Sequence, residues 1–214
     1  ITIVFFEHLI GLIIIAPFLY KAWKSEKLEK NEWYALGVVA LLSGVLGTLF
    51  FTTALLKVNF IPFSVVFLIQ KLQPIFAVAM AAIILREHIT RKYVLWAALA
   101  LVACYFVTFP LGVINFAEGG AHLIAALFAF AAAIAWGSST ALSRYTLLNH
   151  SNTFITGVRF LLTVPISLVF VFAMGAASSL TQVTATQYGY LSLIALSTGA
   201  RAGRQRRRIL ETDR

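Results

Sequence analysis

The fold of this chain is decided by the stretch LIQKLQPIFAVAMAAIILREHITRKY, which occupies residues 68–93 and runs from an apolar segment into a charged turn. On a helix, at about 100° per residue, its polar residues and its proline fall within one arc of roughly 160°. They are Gln70, Lys71, Gln73 and Pro74. A charge near the middle of a membrane helix costs about 2.5–3.5 kcal/mol, and an internal proline frees a backbone carbonyl. Two such costs on one face predict that this face lines a cavity.

The overall composition is that of an integral membrane protein. The chain has 214 residues, of which 60% are hydrophobic and only 12% are charged, whereas a soluble domain carries about 25% charged residues. Its apolar runs reach about 20 residues, the length of a membrane-spanning helix, and they lack the alternation of barrel strands. We therefore predict an all-α, polytopic bundle of membrane helices.

Seven apolar segments are visible along the chain. We predict spans at residues 1–20, 33–56, 60–85, 93–110, 121–148 and 153–174, with a seventh segment at 188–199. Thr90 is predicted to cap the fourth helix, and residues 178–187 are expected to form a polar loop. The seventh segment has about 12 apolar residues and is too short to cross a hydrocarbon core, which needs roughly 20.

The end of the chain differs in composition from everything before it. Residues 200–214 contain six arginines and no lysine, whereas lysine outnumbers arginine seven to four upstream. We interpret this basic tail as non-native, the result of truncation or a frameshift. A juxtamembrane segment that binds anionic lipid is the alternative. Because the chain begins inside an apolar run without a methionine, we also expect a missing helix upstream.

The positions of the basic residues predict the orientation in the membrane. Four lysines lie within residues 21–32, three basic residues lie within 86–92, and Arg144 precedes the turn at 145–151, whereas the opposite set of loops has only Lys57. Cytoplasmic loops carry the excess of lysine and arginine, so these three stretches are predicted to face the cytoplasm. This rule, together with the tail, accounts for the net charge of +9 without a nucleic-acid partner.

Two motifs in the chain resemble EamA-type members of the drug/metabolite transporter superfamily. Residues 72–90, LQPIFAVAMAAIILREHIT, are similar to the end of the family's fourth helix. Residues 125–144, AALFAFAAAIAWGSSTALSR, are similar to the opening helix of the family's second repeat. The matching residues are Pro74, Leu85, Glu87, Ile89 and Thr90 in the first motif and Trp136, Gly137 and Arg144 in the second.

The resemblance implies a fold of ten helices in two five-helix repeats of opposite topology, which moves small organic solutes by alternating access. On this interpretation residues 1–112 are a first EamA repeat that lacks its first helix, and residues 119–199 are an incomplete second repeat. The basic tail at 200–214 belongs to neither repeat. The substrate stays open because the family is broad.

Polar and aromatic side chains inside the spans are the candidates for a substrate pathway. They are Lys71, Gln70, Gln73, Trp136, Glu7, His8 and Arg159. Lys71 lies about 16 Å from either end of its span, so a cavity role is favoured over snorkelling or a bond to the carbonyl freed by Pro74. Glu7 and His8 either carry a coupling proton or lie at the wet outer interface. For Arg159 the sequence favours snorkelling to the interface over a role in the pathway. The alternative for the two glutamines and Trp136 is a contact between packed helices.

Motifs for catalysis or metal binding are absent from the sequence. There is one cysteine, Cys104, and no HxxxH, CxxC or GxGxxG signature, so we expect no enzyme activity, catalytic residue, metal or cofactor. The expected partners are a small-molecule solute and the lipid bilayer, in the cell membrane, and a homodimer is left open. The alternatives are a non-transporting scaffold and a seven-helix receptor or retinal protein, although a retinal lysine belongs on the last helix and Lys71 is on the third.

Overall fold

Six helices in the described part of the chain are long and apolar enough to cross a membrane. The structure is a computed structural model that describes residues 1–57, 63–109, 112 and 121–194. The helices are α1 Thr2–Trp23, α2 Lys30–Leu55, α3 Phe63–Ile84, α4 Arg91–Thr108, α5 Ala121–Leu147 and α6 Asn152–Ala173. Every end lies within three residues of the predicted span. The prediction of an all-α, polytopic membrane bundle is therefore confirmed.

The segment after α6 departs from the prediction in its details. The stretch 178–187 was expected to be a polar loop, but Ala177–Leu180 forms a 3-10 turn and a further helical segment covers residues 185–194. Gln187 accounts for the earlier start, because its side chain accepts a hydrogen bond from the Thr184 N–H, a capping contact three residues apart (2.9 Å). The rest of the predicted seventh segment and the basic tail lie outside the described residues.

Packing divides the chain into two compact units. The first unit comprises Ile1–Val45 and Thr146–Arg214, and the second comprises Leu46–Tyr145. These units cut across the predicted EamA repeats at 1–112 and 119–199, and the assignment of the repeats stays a prediction.

In the first unit, α1 and α6 pack closely through glycine. A Cβ atom added to Gly11 would lie 2.6 Å from the Phe160 ring, and one added to Gly157 would lie 2.7 Å from Leu19. Along α1 the partners pass from Phe160, beside Gly11, back to Gly157, beside Leu19, so the two helices run antiparallel. Glycine allows this approach because it has no side chain. Close packing matters here because lipid gives no hydrophobic force that would draw two helices together.

The second unit is built around the alanine-rich face of α5. Its buried core joins residues of α2, α3, α4 and α5. They are Ala54, Val65, Val66, Ile69, Leu72, Cys104, Phe109, Ala125, Ala126 and Ala129. Ile69 and Leu72, which lie outside the polar arc predicted for α3, are buried in this core.

Two of the spans are irregular near their middle. In α2, residues Ala40–Leu46 form a π-helical segment, which the sequence did not predict. In α3 the α-helix ends at Gln70 and resumes at Gln73, because Pro74 has no N–H to continue the hydrogen-bond ladder. The N–H of Lys71 is shared between the carbonyls of Phe67 and Leu68, and the N–H of Leu72 reaches the carbonyl of Ile69 three residues back, each at 3.0 Å.

Helix α4 begins with the predicted cap. The hydroxyl of Thr90 accepts a hydrogen bond from the backbone N–H of Tyr93 at 3.3 Å, which satisfies one of the free N–H groups of the first turn. The Tyr93 hydroxyl in turn donates to the carbonyl of Pro74 at 3.1 Å. The start of α4 is therefore tied to the interrupted part of α3.

Candidate functional site

The predicted pathway residues divide between the two units. Glu7, His8 and Arg159 belong to the first unit, and Gln70, Lys71, Gln73 and Trp136 belong to the second. Within each unit the structure brings several of these residues together. Their use as one pathway stays a prediction.

In the second unit, Gln70, Gln73 and Thr140 form a polar line that joins α3 to α5. The Gln70 amide donates to the Gln73 side-chain oxygen at 3.2 Å, and the Gln73 amide donates to the Thr140 hydroxyl at 3.4 Å. Thr140 donates in turn to the backbone carbonyl of Trp136 at 2.8 Å. The polar face predicted from residues 68–93 thus meets the predicted Trp136 segment through hydrogen bonds.

Thr140 was not among the candidates from the sequence. It lies one helical turn after Trp136, so the two side chains project from neighbouring positions on α5. The signal that could have found it is the run WGSST at residues 136–140, in which two serines separate Thr140 from the motif residues Trp136 and Gly137.

Four aromatic rings form a row beside the polar line. The Trp136 ring lies 5.3 Å from Phe51, Phe51 lies 5.2 Å from Phe67, and Phe67 lies 4.7 Å from Phe63, measured between ring centroids. These separations are those of offset or edge-to-face aromatic pairs. The aromatic row gives Trp136 of α5 a packing partner in Phe51 of α2, and it continues onto α3, which also carries two members of the polar line.

Gly137 sets the distance between α5 and α3 at this site. A Cβ atom added there would lie 2.6 Å from the Cβ of Phe76 and 2.7 Å from the backbone carbonyl oxygen of Gln73. Only a residue without a side chain permits this approach. The hydrogen bond between Gln73 and Thr140 depends on it, because both residues flank the point of contact.

Lys71 lies in the interruption of α3, between the two glutamines, and its side chain is exposed. Among the described residues its ammonium forms neither an ion pair nor a hydrogen bond, so the alternative of a bond to the carbonyl freed by Pro74 gains no support. Its role in a pathway stays a prediction.

In the first unit, Arg159 reaches towards the middle of α2. Its guanidinium donates to the Ser43 hydroxyl at 3.4 Å, and Ser43 donates to the carbonyl of Val39 at 2.8 Å. Ser43 lies 13 residues after Lys30, roughly 20 Å along the helix at 1.5 Å per residue. The guanidinium is therefore directed towards the middle of α2, and snorkelling to the interface, which the sequence favoured, stays a prediction.

His8 packs on the same aromatic residue as Gly11. Its Nδ1 is 2.9 Å from the carbonyl of Val4, and its ring stands edge-on to Phe160 at 5.2 Å. Because a carbonyl can only accept, Nδ1 carries the proton and donates. Nε2 is then the nitrogen of the neutral ring that can gain a proton.

Glu7 is half-buried and adjacent to His8 in α1. Neighbouring residues on a helix point in different directions, about 100° apart. Adjacency in the sequence therefore does not place the two groups on one face, and a shared role in proton coupling stays a prediction.

The two family motifs meet through an ion pair. Arg144, near the end of α5, binds Glu87, in the turn after α3, with nitrogen–oxygen distances of 2.7 and 3.1 Å. Both side chains are exposed, so the pair contributes little to stability, but its two bonds fix the turn against α5. Within the described ranges, no three His, Cys, Asp or Glu side chains come together to hold a metal ion.

Comparison with known proteins identifies the family of this chain. Residues 1–109 match the EamA-like transporter family. The chain belongs to the EamA-like transporter family. This EamA-like chain is a multi-pass membrane protein, and its family membership does not favour the alternative of a seven-helix receptor or retinal protein.

One curated relative is informative. The EamA-like chain is 37% identical over 171 residues to the riboflavin transporter ImpX of Fusobacterium nucleatum. The alignment covers 79% of this chain and 57% of that relative, so the chain spans less than two thirds of the relative's length. No solved structure matches the chain.

Proposed function

We propose that this chain belongs to a secondary transporter that moves a small organic solute across the cell membrane by alternating access. The observation that carries the proposal is the polar line of Gln70, Gln73 and Thr140, which lies within membrane helices of a chain from a transporter family. Polar side chains inside membrane spans are costly and mark solute pathways. The two EamA repeats at 1–112 and 119–199 are part of this proposal, since such repeats exchange access to a central site.

The solute class that we propose is a flat heteroaromatic compound such as a flavin. Support comes from the curated relative, which is a riboflavin transporter, and from the chemistry of the second unit. The glutamine amides offer both donors and acceptors, which suits the imide-like edge of a flavin ring. The aromatic row supplies rings that stack on flat π-systems.

The remaining candidates take supporting roles in this proposal. Lys71, Glu7, His8 and Arg159 are ionisable groups within spans, and such groups bind charged parts of solutes or carry coupling protons. The chain is proposed to have no enzymatic activity. A homodimer stays a prediction.

The test is riboflavin uptake into vesicles that contain the full chain, normalised to inserted protein. Gln73→Leu removes the central member of the polar line and both of its hydrogen bonds, and we expect uptake to fall by about thirtyfold, since each lost bond is worth about 1 kcal/mol. Thr140→Val removes the bond from Gln73 together with the local bond to the Trp136 carbonyl, and loss of the bond from Gln73 should lower uptake by about fivefold. Uptake equal to that of empty vesicles for the unmodified chain would refute flavin as the solute class.

The chain offers a matched control for Thr140. Thr52 is also an exposed helical threonine whose hydroxyl donates to a backbone carbonyl one turn back, at 2.8 Å to Thr48, but it makes no bond to another helix within the described residues. Thr52→Val should leave uptake unchanged. Equal losses for Thr52→Val and Thr140→Val would show that the polar line has no special role.

A further inference from the structure

A second polar cluster lies outside the proposed pathway, where two turns of the first unit meet. His150, in the turn between α5 and α6, stands between Glu26, in the turn after α1, and Glu32, in the first turn of α2. Its Nε2 lies 2.9 Å from Glu32 Oε2, and its Nδ1 lies 3.3 Å from Glu26 Oε2. We call these three residues the carboxylate–histidine cluster.

The cluster is withdrawn from water. The side chain of His150 is 9% exposed, that of Glu32 is 3% exposed and that of Glu26 is 20% exposed. The Nδ1 atom is buried and has no aligned hydrogen-bond partner, although the Glu26 carboxylate is within ion-pair distance. Burying a carboxylate without a counter-charge is costly, so these contacts require an explanation.

A protonated His150 supplies that explanation. Each ring nitrogen faces a carboxylate oxygen, which can only accept when ionised, and both nitrogens are donors only in the imidazolium form. Within the described ranges neither carboxylate is paired with a lysine or arginine. Three uncharged residues also contact the cluster in the described part of the chain. They are Asn149, which donates to Glu32 at 3.5 Å, Ser151, which binds Glu26, and the ring of Phe154.

We propose that the carboxylate–histidine cluster is a proton-binding site that regulates the packing of the first unit. When His150 is protonated, its single positive charge holds two carboxylates from two different elements. When it loses the proton, one nitrogen becomes a lone-pair acceptor that faces a carboxylate, and two negative charges are left without a counter-ion. Imidazole is the ordinary side chain whose charge changes between pH 5 and 8, so pH is the variable with which the cluster is tested.

The cluster also controls the ends of two membrane helices. Glu32 Oε2 accepts from the N–H of Glu29 at 2.8 Å, as part of the capping box of α2. Ser151 is the N-cap of α6, and Glu26 accepts from its N–H at 2.9 Å and its hydroxyl at 2.5 Å. Loss of the proton therefore weakens the caps of α2 and α6 together. Both turns belong to stretches predicted to face the cytoplasm, so the signal is cytoplasmic pH.

The test is thermal unfolding of the full chain in detergent between about pH 5.5 and pH 8.5. Because only the protonated ring can donate to both carboxylates, stability should fall as pH rises. We expect the melting temperature to fall by about 3 °C across this range, the shift typical of losing one strong interaction in a chain of this size. His150→Gln should abolish that dependence, whereas His88→Gln, at an exposed histidine of another turn, should retain it.

A second measurement reports on the turn itself. Lys24 and Lys27 are exposed beside Glu26, so trypsin should cut there faster at the alkaline end of the range in the unmodified chain. The activity of trypsin itself depends on pH. At each pH, the cleavage rate of the unmodified chain is therefore divided by the cleavage rate of His150→Gln. A constant ratio, or an unchanged melting profile in His150→Gln, overturns the proposal.

Glu26→Gln covers the case in which His150→Gln does not fold. It keeps the bond between His150 and Glu32 but removes one of the two negative charges, so the midpoint of the pH profile should move to lower pH. A midpoint equal to that of the unmodified chain overturns the proposal. Neither readout involves transport, so the proton site and the proposed transport function can fail separately.

Discussion

Replacing Gly137 by alanine tests the packing that brings the polar line together. The added Cβ would lie 2.6 Å from the Cβ of Phe76, 2.7 Å from the carbonyl oxygen of Gln73 and 3.0 Å from the backbone nitrogen of Ala77. None of these atoms is the far end of a flexible side chain. The clash can be relieved only by moving α5 away from α3.

The size of the effect follows from the overlap. The closest contact is about 0.8 Å shorter than an ordinary van der Waals contact near 3.4 Å. Overpacking of this kind costs typically 1–3 kcal/mol, and about 2 kcal/mol lowers the melting temperature of a chain of this length by roughly 6 °C. The bond between Gln73 and Thr140 is already 3.4 Å long, so the displacement should also break it and reduce solute uptake.

The assay is thermal unfolding in detergent, with Gly37→Ala as the matched control. Gly37 also lies in a membrane helix, but a Cβ atom there meets nothing within 4 Å, and alanine in a helix is favoured over glycine by up to about 1 kcal/mol. Gly37→Ala should therefore leave the melting temperature unchanged or raise it. If Gly137→Ala is as stable as Gly37→Ala, the close approach of α5 and α3 is wrong.

Two further predictions concern orientation and charge. A cysteine introduced at Ser25 in a Cys104→Ala background should resist a membrane-impermeant thiol reagent in intact cells, because basic residues place its turn in the cytoplasm; labelling without lysis would reverse the orientation. Lys71→Met should leave insertion intact or improve it by a few kcal/mol while uptake falls by about tenfold or more, and Leu72→Met, on the buried face of α3, should have almost no effect. Normal uptake by Lys71→Met would show that Lys71 is not in the pathway.

The helical spans were predictable because a single physical requirement fixes them. A membrane core demands about 20 apolar residues, and charged or polar residues mark the ends of each run. The interruption of α3 was predictable for a similarly local reason, since Pro74 cannot donate a backbone hydrogen bond. The sequence named Gln73 and Trp136 as separate candidates, and the structure was needed to show that Gln73 meets the Trp136 segment through Thr140.

Features that depend on distant partners could not be predicted. Glu32 and His150 are separated by 118 residues, and nothing local to either one indicates the other. The contact of Arg159 with Ser43 spans 116 residues, and the sequence favoured snorkelling because it counted only the distance of Arg159 from the end of its own helix. The π-helical segment of α2 likewise has no local signal, and it places Gly44 against Thr163 of α6, where an added Cβ would lie 2.4 Å from a methyl group.

That π-helical segment has a consequence for comparing this chain with its relatives. A π-turn bonds each N–H five residues back instead of four, so Ala40–Leu46 accommodates extra chain for the same number of turns. A relative whose second span is α-helical throughout would need fewer residues to carry Lys30 and Leu55 to the same places. Aligning the two without a gap would put every residue on one side of the segment out of register by about 100° around the helix. Ser43 would then be matched with a residue that faces a different neighbour.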